Sequence, residues 1–538
     1  MIKLFITNNS KALMTWPLLA GLLSGIAIHY LSWWLGWICY VPIFYLLIKY
    51  RVNVRTGMLA GAVTGIAQAV IIQGWIFPTV AAYTGQLVFP GVFIWLVLVI
   101  FNAAKFLVIF GLIAKLFEWA KGSGRWKWLT APMAASLFVA VEALIGTGLK
   151  GFPWAYTFLG YTQTSNIFFL QLAELGGVGV ISWFVVLINF LLASYLAARK
   201  RSSIIYALGL LALIHIYGSI RIKTLDDPAA KTLKTALICD HSPPDMRWNE
   251  SELNRYVQRL FALNHQALGL EPDIVVWNES VIPWTFRKDD DFLLYVLDQG
   301  HGSGASHLIS YYSEGSSDNE YPAVSAYLIF SDGSVGGRYD KSELLAGVEK
   351  PLLHFFNSGS LQLPFALDNT MADHAANPSP EPIQSQYGSI GVMICNESAR
   401  DGVAGRLARQ GINLMVLMSN NAWFDASTAA RLHFNFTRMR AVENRTAIAI
   451  NANMGISGLI DHTGRILLQS ESKEPQVLLA EVPQTGASKN YLQRRNLFHA
   501  LVAAFLLAGL IMGLLRQQKR GAQKITDTDP RYKKTPLV

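Results

Sequence analysis

The sequence predicts a multi-spanning α-helical membrane bundle of eight spans plus an extracytoplasmic α/β domain. Of its 538 residues, 52% are hydrophobic and 15% charged, whereas about a quarter of a soluble chain is charged. Residues 13–218 and 498–515 are almost wholly apolar, while residues 221–492 have the composition of a soluble α/β domain. We therefore expect four regions: a seven-span bundle at 1–220, an α/β domain at 221–492, a last span at 493–516 and a basic cytoplasmic tail at 517–538.

Eight apolar segments are long enough to cross a bilayer, at about 20 residues per crossing. They cover residues 13–29, 32–48, 57–77, 88–114, 129–147, 176–197, 203–219 and 498–515. The first is interpreted as a retained helix, because a second span follows at once and no small-residue cleavage site separates them.

Lysine and arginine concentrate in alternate loops of the membrane part. One set of loops, together with both termini, holds clusters of them, whereas the loops around 78–87 and 148–165 contain only Lys150. Because Lys and Arg mark the cytoplasmic side, both termini are expected in the cytoplasm and the α/β domain outside it. Arg494 and Arg495 run against this rule and are interpreted as interfacial anchors beside lipid headgroups.

Charge and cysteine content disfavour several classes of function. The net charge of +9 falls in short clusters rather than on one broad face, a pattern that fits membrane orientation better than nucleic-acid binding. The three cysteines, Cys39, Cys239 and Cys395, suggest no disulfide framework. Because zinc sites normally need closely spaced ligand pairs, no metal site and no cofactor are expected.

The α/β domain alternates strand-like runs with amphipathic helices, which indicates layers of sheet and helix. Predicted strands cover residues 235–240, 274–277, 307–312, 389–395 and 413–419. Hairpins are predicted over 323–339 and around 462–464. One helix is expected to begin after Asn249, where Glu252 completes a capping pattern, and another near 429–444.

Three polar residues stand at the ends of apolar strands or hairpins, and together they suggest catalysis. Glu279 follows one strand, Lys341 follows a hairpin and Cys395 ends a third apolar run. Alone, each has an ordinary interpretation: a surface carboxylate, an exposed lysine and a small buried hydrophobe. A thiol, with a free pKa near ~8.5, needs a base or a positive field to react. The three side chains could supply a general base, an oxyanion stabiliser and a nucleophile.

In that order and context, Glu279, Lys341 and Cys395 resemble the catalytic triad of the nitrilase (carbon–nitrogen hydrolase) superfamily. Together with the spans, the chain resembles the apolipoprotein N-acyltransferase family, whose fold is an eight-helix bundle carrying a periplasmic nitrilase-like αββα sandwich domain. Further segments look like motifs of that family: 151–163, 171–177, 419–424, His433, 438–443 and 453–457.

The resemblance implies roles for five residues. Glu279 would be the general base, Lys341 the oxyanion stabiliser and Cys395 the nucleophile. Glu349 would help to hold the lysine or the base, and Glu397 would be a supporting glutamate near the thiol.

Substrate-binding residues are expected outside the triad. Trp248 matches a family tryptophan implied in phospholipid or acceptor binding, with a plain core aromatic as the alternative. Trp423 and Phe424, with the apolar segments 352–356 and 361–367, could line a groove for an acyl chain. Packing of these segments against the domain core is the alternative.

The implied reaction is a two-step transfer through a thioester, which needs one nucleophile, one base and an oxyanion donor. The resemblance implies phosphatidylethanolamine as donor, the amine of a diacylglyceryl-cysteine lipoprotein as acceptor, and a monomer in the bacterial inner membrane. The alternatives are a membrane-tethered amidase that uses water, an acyltransferase with another amine acceptor, and a non-catalytic scaffold. Departures from the family pattern bear on substrate recognition: Asn278, Asn396, Asn421 and Ala346-Gly347-Val348.

Overall fold

The computed structural model shows a helical bundle joined to an α/β domain. It describes residues 10–83, 88–120, 124–149, 151–152, 157–225, 231–243, 249–314, 322–346, 348–350, 374–424, 427–470 and 474–528. Within these ranges, eight helices are long and apolar enough to cross a membrane, which confirms the predicted number. They cover Lys11–His29, Trp33–Tyr50, Val54–Ile72, Val88–Ala120, Trp128–Gly148, Ala173–Ala198, Arg201–Leu225 and Tyr491–Gln518.

Ten helices form the N-terminal bundle. They are α1 (Ser10–His29), α2 (Trp33–Gly36), α3 (Val41–Tyr50), α4 (Val54–Ile72), α5 (Ile76–Tyr83), α6 (Val88–Ala120), α7 (Gly124–Gly148), α8 (Ile167–Leu170), α9 (Ala173–Ala198) and α10 (Arg201–Leu225). The α/β domain adds α11 (Glu250–Leu268), α12 (Asp291–Gln299), α13 (Asp401–Arg409) and α14 (Thr428–Asn444), and α15 (Tyr491–Thr528) returns to the bundle.

Small residues bring α4 and α6 close together. Gly57, Gly61 and Gly65 recur at every fourth position on the face of α4 that meets α6, and a Cβ at Gly61 would overlap the carbonyl oxygen of Phe106. The Asn102 side chain crosses the same interface and donates to the Gly65 carbonyl at 2.8 Å. Helices in lipid associate through such close packing and interhelical hydrogen bonds, since burial of apolar surface gives little there.

The seventh span is longer than its apolar run predicts. The run ends near residue 219, yet α10 continues to Leu225. Arg221 lies in this extension and bonds through Nε to Glu174 Oε1 at 2.6 Å. This ion pair stabilises a helical end whose residues are too polar to be recognised as part of a span.

Twelve described strands form two sheets of six. The strands are β1 (Thr232–Cys239), β2 (Ile274–Val276), β3 (Ser306–Tyr312), β4 (Val324–Ile329), β5 (Val335–Asp340), β6 (Ile383–Ser385), β7 (Gly388–Ile394), β8 (Leu414–Asn420), β9 (Ile448–Asn453), β10 (Gly458–Ile460), β11 (Ile466–Gln469) and β12 (Gln476–Pro483). The orders are β12-β1-β2-β3-β4-β5 and β11-β10-β9-β8-β7-β6.

The two sheets face each other between helices, so the predicted αββα sandwich is confirmed. Leu237 of the first sheet and Val392 of the second belong to one buried core. A second core packs α11 and α12 on the other face of the first sheet. On the far side of the second sheet, α14 contributes Met439 and Val442 to the core of the bundle, which positions this sheet directly against the membrane part.

The predicted strands and both hairpins are present within a few residues of their expected bounds. Three strands were not predicted: β6, β9 and β12. β12 pairs antiparallel with β1, and Thr232 lies opposite Pro483. Such a contact between distant parts of the chain leaves no local sequence pattern.

Candidate active site

The proposed nucleophile occupies a strained turn. β7 ends at Ile394, and Cys395 begins a short 3₁₀ helix, Cys395–Ala399. Cys395 has φ = +53°, a left-handed conformation that is uncommon for residues other than glycine. The His433 ring donates from Nε2 to the Cys395 carbonyl oxygen at 2.8 Å. Strain of this kind clusters at functional sites, so the turn marks Cys395 as more than a core residue.

The lysine is held between two glutamates. Lys341 follows β5 and is fully buried, with Nζ 2.9 Å from Glu279 Oε1 and 2.6 Å from Glu349 Oε1. The second oxygen of each carboxylate accepts a backbone N–H. That of Glu279 accepts from Asn420 at 2.9 Å and that of Glu349 from Leu345 at 2.7 Å. All three charged groups are therefore fixed in position.

These charges decide the protonation states. Burial by itself lowers the pKa of Lys341, but the carboxylates of Glu279 and Glu349 outweigh burial and raise this pKa well above its ordinary value. The lysine therefore stays cationic. Burial, followed by the charge of Glu279, raises the pKa of the Cys395 thiol, while Lys341 lowers it. The resting thiol is protonated, so its proton must leave when sulfur attacks.

Glu397 connects the nucleophile turn to the lysine segment. Its carboxylate accepts bonds from the Ile394 N–H at 2.6 Å, the Ser342 N–H and hydroxyl at 2.6 and 2.7 Å, and the Tyr339 hydroxyl at 2.9 Å. Burial raises the pKa of Glu397, although these donors act against burial. Glu397 thus acts through the backbone on both sides of the site.

The remaining predicted residues are not all placed by the structure. Trp248 lies outside the described residues, as do the segments 352–356 and 361–367. Trp423 and Phe424 belong to the short helix Ala422–Phe424, and the Phe424 ring meets the Trp75 ring edge-on at 5.5 Å. Phe424 therefore contacts the bundle.

Several supporting residues were missed at the sequence level. Tyr339 and Ser342 hold Glu397, and the backbone of Asn420 holds Glu279. For Tyr339 and Ser342, a position directly beside the end of a predicted hairpin was the available signal. Among the described residues, no group of three or more His, Cys, Asp or Glu is arranged to hold a metal ion.

The comparisons identify both parts of the chain. Residues 20–191 match the model of the apolipoprotein N-acyltransferase N-terminal domain, and residues 303–490 match that of the carbon-nitrogen hydrolase. The protein named apolipoprotein N-acyltransferase from Geobacter metallireducens is 28% identical over 86% of this chain and 87% of its own length. The Pseudomonas syringae protein of that name is 27% identical over 92% and 97%. The chain belongs to the apolipoprotein N-acyltransferase family.

Membership of the apolipoprotein N-acyltransferase family makes the chain an acyltransferase enzyme that is built into a membrane. A solved structure, Saccharomyces cerevisiae Nit3 of the nitrilase superfamily, is similar at a TM-score of 0.37 and 15% identity, over 47% of this chain and 90% of that one.

In this acyltransferase, a buried ion-pair cluster joins bundle and α/β domain. Glu174 at the start of α9 bonds Arg221 of the bundle and Arg445 of the α/β domain, the latter from Nε to Oε2 at 2.8 Å. The two arginines interpreted as lipid anchors also bond protein groups. Arg494 donates to the Glu174 carbonyl at 2.7 Å, and Arg495 pairs with Asp401 at 2.9 Å. The cluster therefore holds the α/β domain, which carries the candidate active site, in a defined position against the bundle.

Proposed function

We propose that this chain transfers an acyl chain from a phospholipid, through a thioester on Cys395, to the terminal amine of a diacylglyceryl-cysteine lipoprotein. Phosphatidylethanolamine is the proposed donor, and the enzyme acts as a monomer. One observation carries the proposal: Lys341 is a buried, permanently charged donor held between two glutamates beside a buried thiol. The attachment of this site to a membrane bundle supports lipid substrates, since phospholipids are the bulk component of a bilayer.

In the first half-reaction, the Cys395 sulfur attacks the ester carbonyl and its proton passes to Glu279. Lys341 stabilises the negative oxygen of the tetrahedral intermediate. The C–O bond then breaks, and Glu279 returns the proton to the leaving alkoxide. The products are a thioester on Cys395 and a lysophospholipid with a free hydroxyl.

In the second half-reaction, the amine of the lipoprotein attacks the thioester carbonyl. Glu279 takes a proton from the attacking nitrogen and gives it to the departing sulfur. An amide forms and the thiol is regenerated, so one base and one oxyanion donor serve both halves.

Acylation of Cys395 is the decisive experiment. Purified wild-type protein incubated with phosphatidylethanolamine should carry a hydroxylamine-sensitive acyl group, and Cys395→Ser should carry none. Cys239→Ser is the matched control, because Cys239 is also buried, and it should acylate like wild type. Labelling that survives the loss of Cys395 would refute the proposal. Release of free fatty acid, with no N-acyl product when a diacylglyceryl peptide is supplied, would favour the amidase.

We further propose that residues 221–492 form the catalytic domain on the periplasmic side of the inner membrane, and both termini lie in the cytoplasm. The basic loops of the membrane part support this orientation. A reporter fused after Arg221 should be active only if it functions outside the cytoplasm, and activity confined to cytoplasmic reporters would contradict the orientation.

A further inference from the structure

A groove lies between the helices of the bundle, away from the triad. Its volume is about 920 Å³, and its walls come from α6, α7, α9 and α15. Glu279, Lys341 and Cys395, all described, are not among its walls. Rim residues Leu144 and Leu507 are 71% and 58% exposed, so the groove opens sideways towards lipid. On α15 the wall is a single helical face: residues 499, 502, 503, 506, 507 and 510.

The end of the groove that faces the α/β domain is charged. Arg400, Asp401 and Arg495 line this end. Arg495 binds Asp401 through Nη1 at 2.9 Å and keeps 23% of its side chain exposed. A guanidinium has five N–H donors and suits phosphate oxygens. A phosphate at this end would therefore meet arginine, with the apolar face of α15 running away from it.

One buried carboxyl oxygen inside the groove lacks a close hydrogen bond. Glu142 lines the groove and is 3% exposed. Its Oε1 accepts the Leu159 N–H at 2.8 Å, whereas its Oε2 accepts no hydrogen bond of 3.5 Å or shorter from the described residues. The Ser182 hydroxyl and the Lys105 ammonium also interact with this carboxylate, while Ser182 accepts from the Gly160 N–H at 2.8 Å and Lys105 donates to Thr157 at 3.2 Å. A buried carboxylate oxygen without a close hydrogen bond can accept a further one, so this oxygen is suited to a ligand's hydroxyl or N–H group.

The charged end of the groove and the Glu142 carboxylate lie at different depths, and this difference restricts the chemistry of the ligand. Arg400, at the charged end of the groove, bonds the Gly146 carbonyl near the end of α7. Glu142 precedes Gly146 by four residues on that helix, so Glu142 lies about 6 Å deeper in the bundle, at about 1.5 Å per residue. The ligand must therefore carry a phosphate, a hydrogen-bond donor one helical turn deeper, and then an apolar chain. A two-chain phospholipid has only ester oxygens below its phosphate. A lysophospholipid has a free glycerol hydroxyl there.

We propose that this groove binds a lysophospholipid, with its phosphate at Arg495, its glycerol hydroxyl on Glu142 Oε2 and its chain along α15. The assignment rests on the proposed function, in which this lipid is the first product. The groove also touches the nucleophile segment, because Ala399, the last residue of the helix Cys395–Ala399, lines it. Holding the alcohol there keeps its hydroxyl from attacking the thioester and reversing the first half-reaction.

The test measures lipid binding to purified full-length protein by native mass spectrometry. The probes are lysophosphatidylethanolamine and intact phosphatidylethanolamine. Ala503→Trp fills the groove, and Ala508→Trp is its matched control, since Ala508 lies on the same helix, exposed and outside the lining. Glu142→Gln keeps an acceptor for Leu159 and replaces the other oxygen by a donor. Leu507→Trp is a second filling variant, at an exposed position, for use if Ala503→Trp does not fold.

Wild type and Ala508→Trp should each retain one lysophospholipid, at least tenfold more tightly than the intact phospholipid. Both filling variants should weaken this binding tenfold or more. Glu142→Gln should weaken it on the order of tenfold and leave binding of the intact lipid unchanged. Wild-type binding in the filled variants, or equal binding of both lipids, would overturn the proposal. Acylation of Cys395 in the same preparations tests the proposed function separately: an enzyme that acylates but binds no lysophospholipid removes only the groove assignment.

Discussion

Replacing Glu279 by glutamine should separate the reactivity of the thiol from catalysis. The charge of Glu279 raises the pKa of Cys395, second only to burial, while Lys341 lowers it. Glutamine removes the negative charge and leaves the lysine in place. The pKa of the thiol should therefore fall in Glu279→Gln, and more thiolate should be present at neutral pH. Acyl transfer should nevertheless collapse, because no group remains to carry the proton.

The magnitudes make the two effects distinguishable. A neighbouring charge shifts a pKa by about 1–3 pH units, so the thiolate fraction should rise about 10–10³-fold. Loss of a positioned base costs about 10²–10⁴-fold in turnover. Glu349→Gln is the matched control, since Glu349 also bonds the Lys341 ammonium and also raises the pKa of the thiol. Its alkylation should rise as well, but its turnover should fall only by about 10–100-fold, the value of one charged hydrogen bond.

The assay is a pH series in which Cys395 alkylation by iodoacetamide and acyl transfer are followed on the wild type and both variants. The expected signature of Glu279→Gln is faster alkylation with slower transfer. If Glu279→Gln keeps wild-type transfer, or if the two variants lose the same turnover, Glu279 is not the proton carrier and the assignment of roles fails. A fall in alkylation would show instead that the charge of Glu279 does not control the pKa of the thiol.

Three further perturbations test the surroundings of the site. Glu397→Gln should lower the free energy of unfolding by about 1.5–3 kcal/mol, because an amide nitrogen cannot accept a hydrogen bond from the Ile394 N–H. The loss should appear as a lower melting temperature, and an unchanged melting temperature would contradict the bridging role of Glu397. Burial lowers the pKa of His433 to about 4, so the unfolded chain binds more protons below pH 6.5, and thermal stability should fall as the pH drops from 6.5 to about 4. His433→Gln should flatten that dependence, and an equally steep profile would argue against a neutral buried ring. Glu174→Gln leaves Arg445 without its charged partner and should cost about 3–5 kcal/mol in thermal unfolding, whereas a loss below 1 kcal/mol would show that the cluster is not a clamp.

The sequence predicts the membrane part and the strand ends because both depend on local patterns. Continuous apolar runs of bilayer length mark the spans, and polar residues that directly follow apolar strands mark the site. Glu279 and Cys395 could be singled out because each lies just after an apolar strand, although the two strands, β2 and β7, belong to different sheets that face each other. Lys341 was found in the same way, at the end of a hairpin.

Contacts between distant residues could not be predicted. The backbone N–H of Asn420 reaches Glu279 across 141 residues, and a backbone donor has no sequence signature. The partners of Arg494 and Arg495 could not be predicted either. Their charges beside an apolar span fit lipid headgroups, but their partners, Glu174 and Asp401, lie far away in sequence. The pairing of β12 with β1 is a further case.

The pairing of β12 with β1 also determines when the α/β domain can be completed during synthesis of the chain. β1 is made early, directly after the seventh span, and β12 directly before the eighth. Until residues 476–483 have been synthesised, β1 presents an unpaired edge, which is the part of a sheet most prone to wrong pairing. The domain can close only when translation is almost complete, at the moment when the last helix is being delivered to the bilayer. Completion of the sheet and insertion of α15 are thus closely linked in time. A chain truncated before α15 would still be tethered by its first seven spans, but it would lack the bonds from Arg494 and Arg495 to Glu174 and Asp401 that join α15 to the bundle and to the α/β domain.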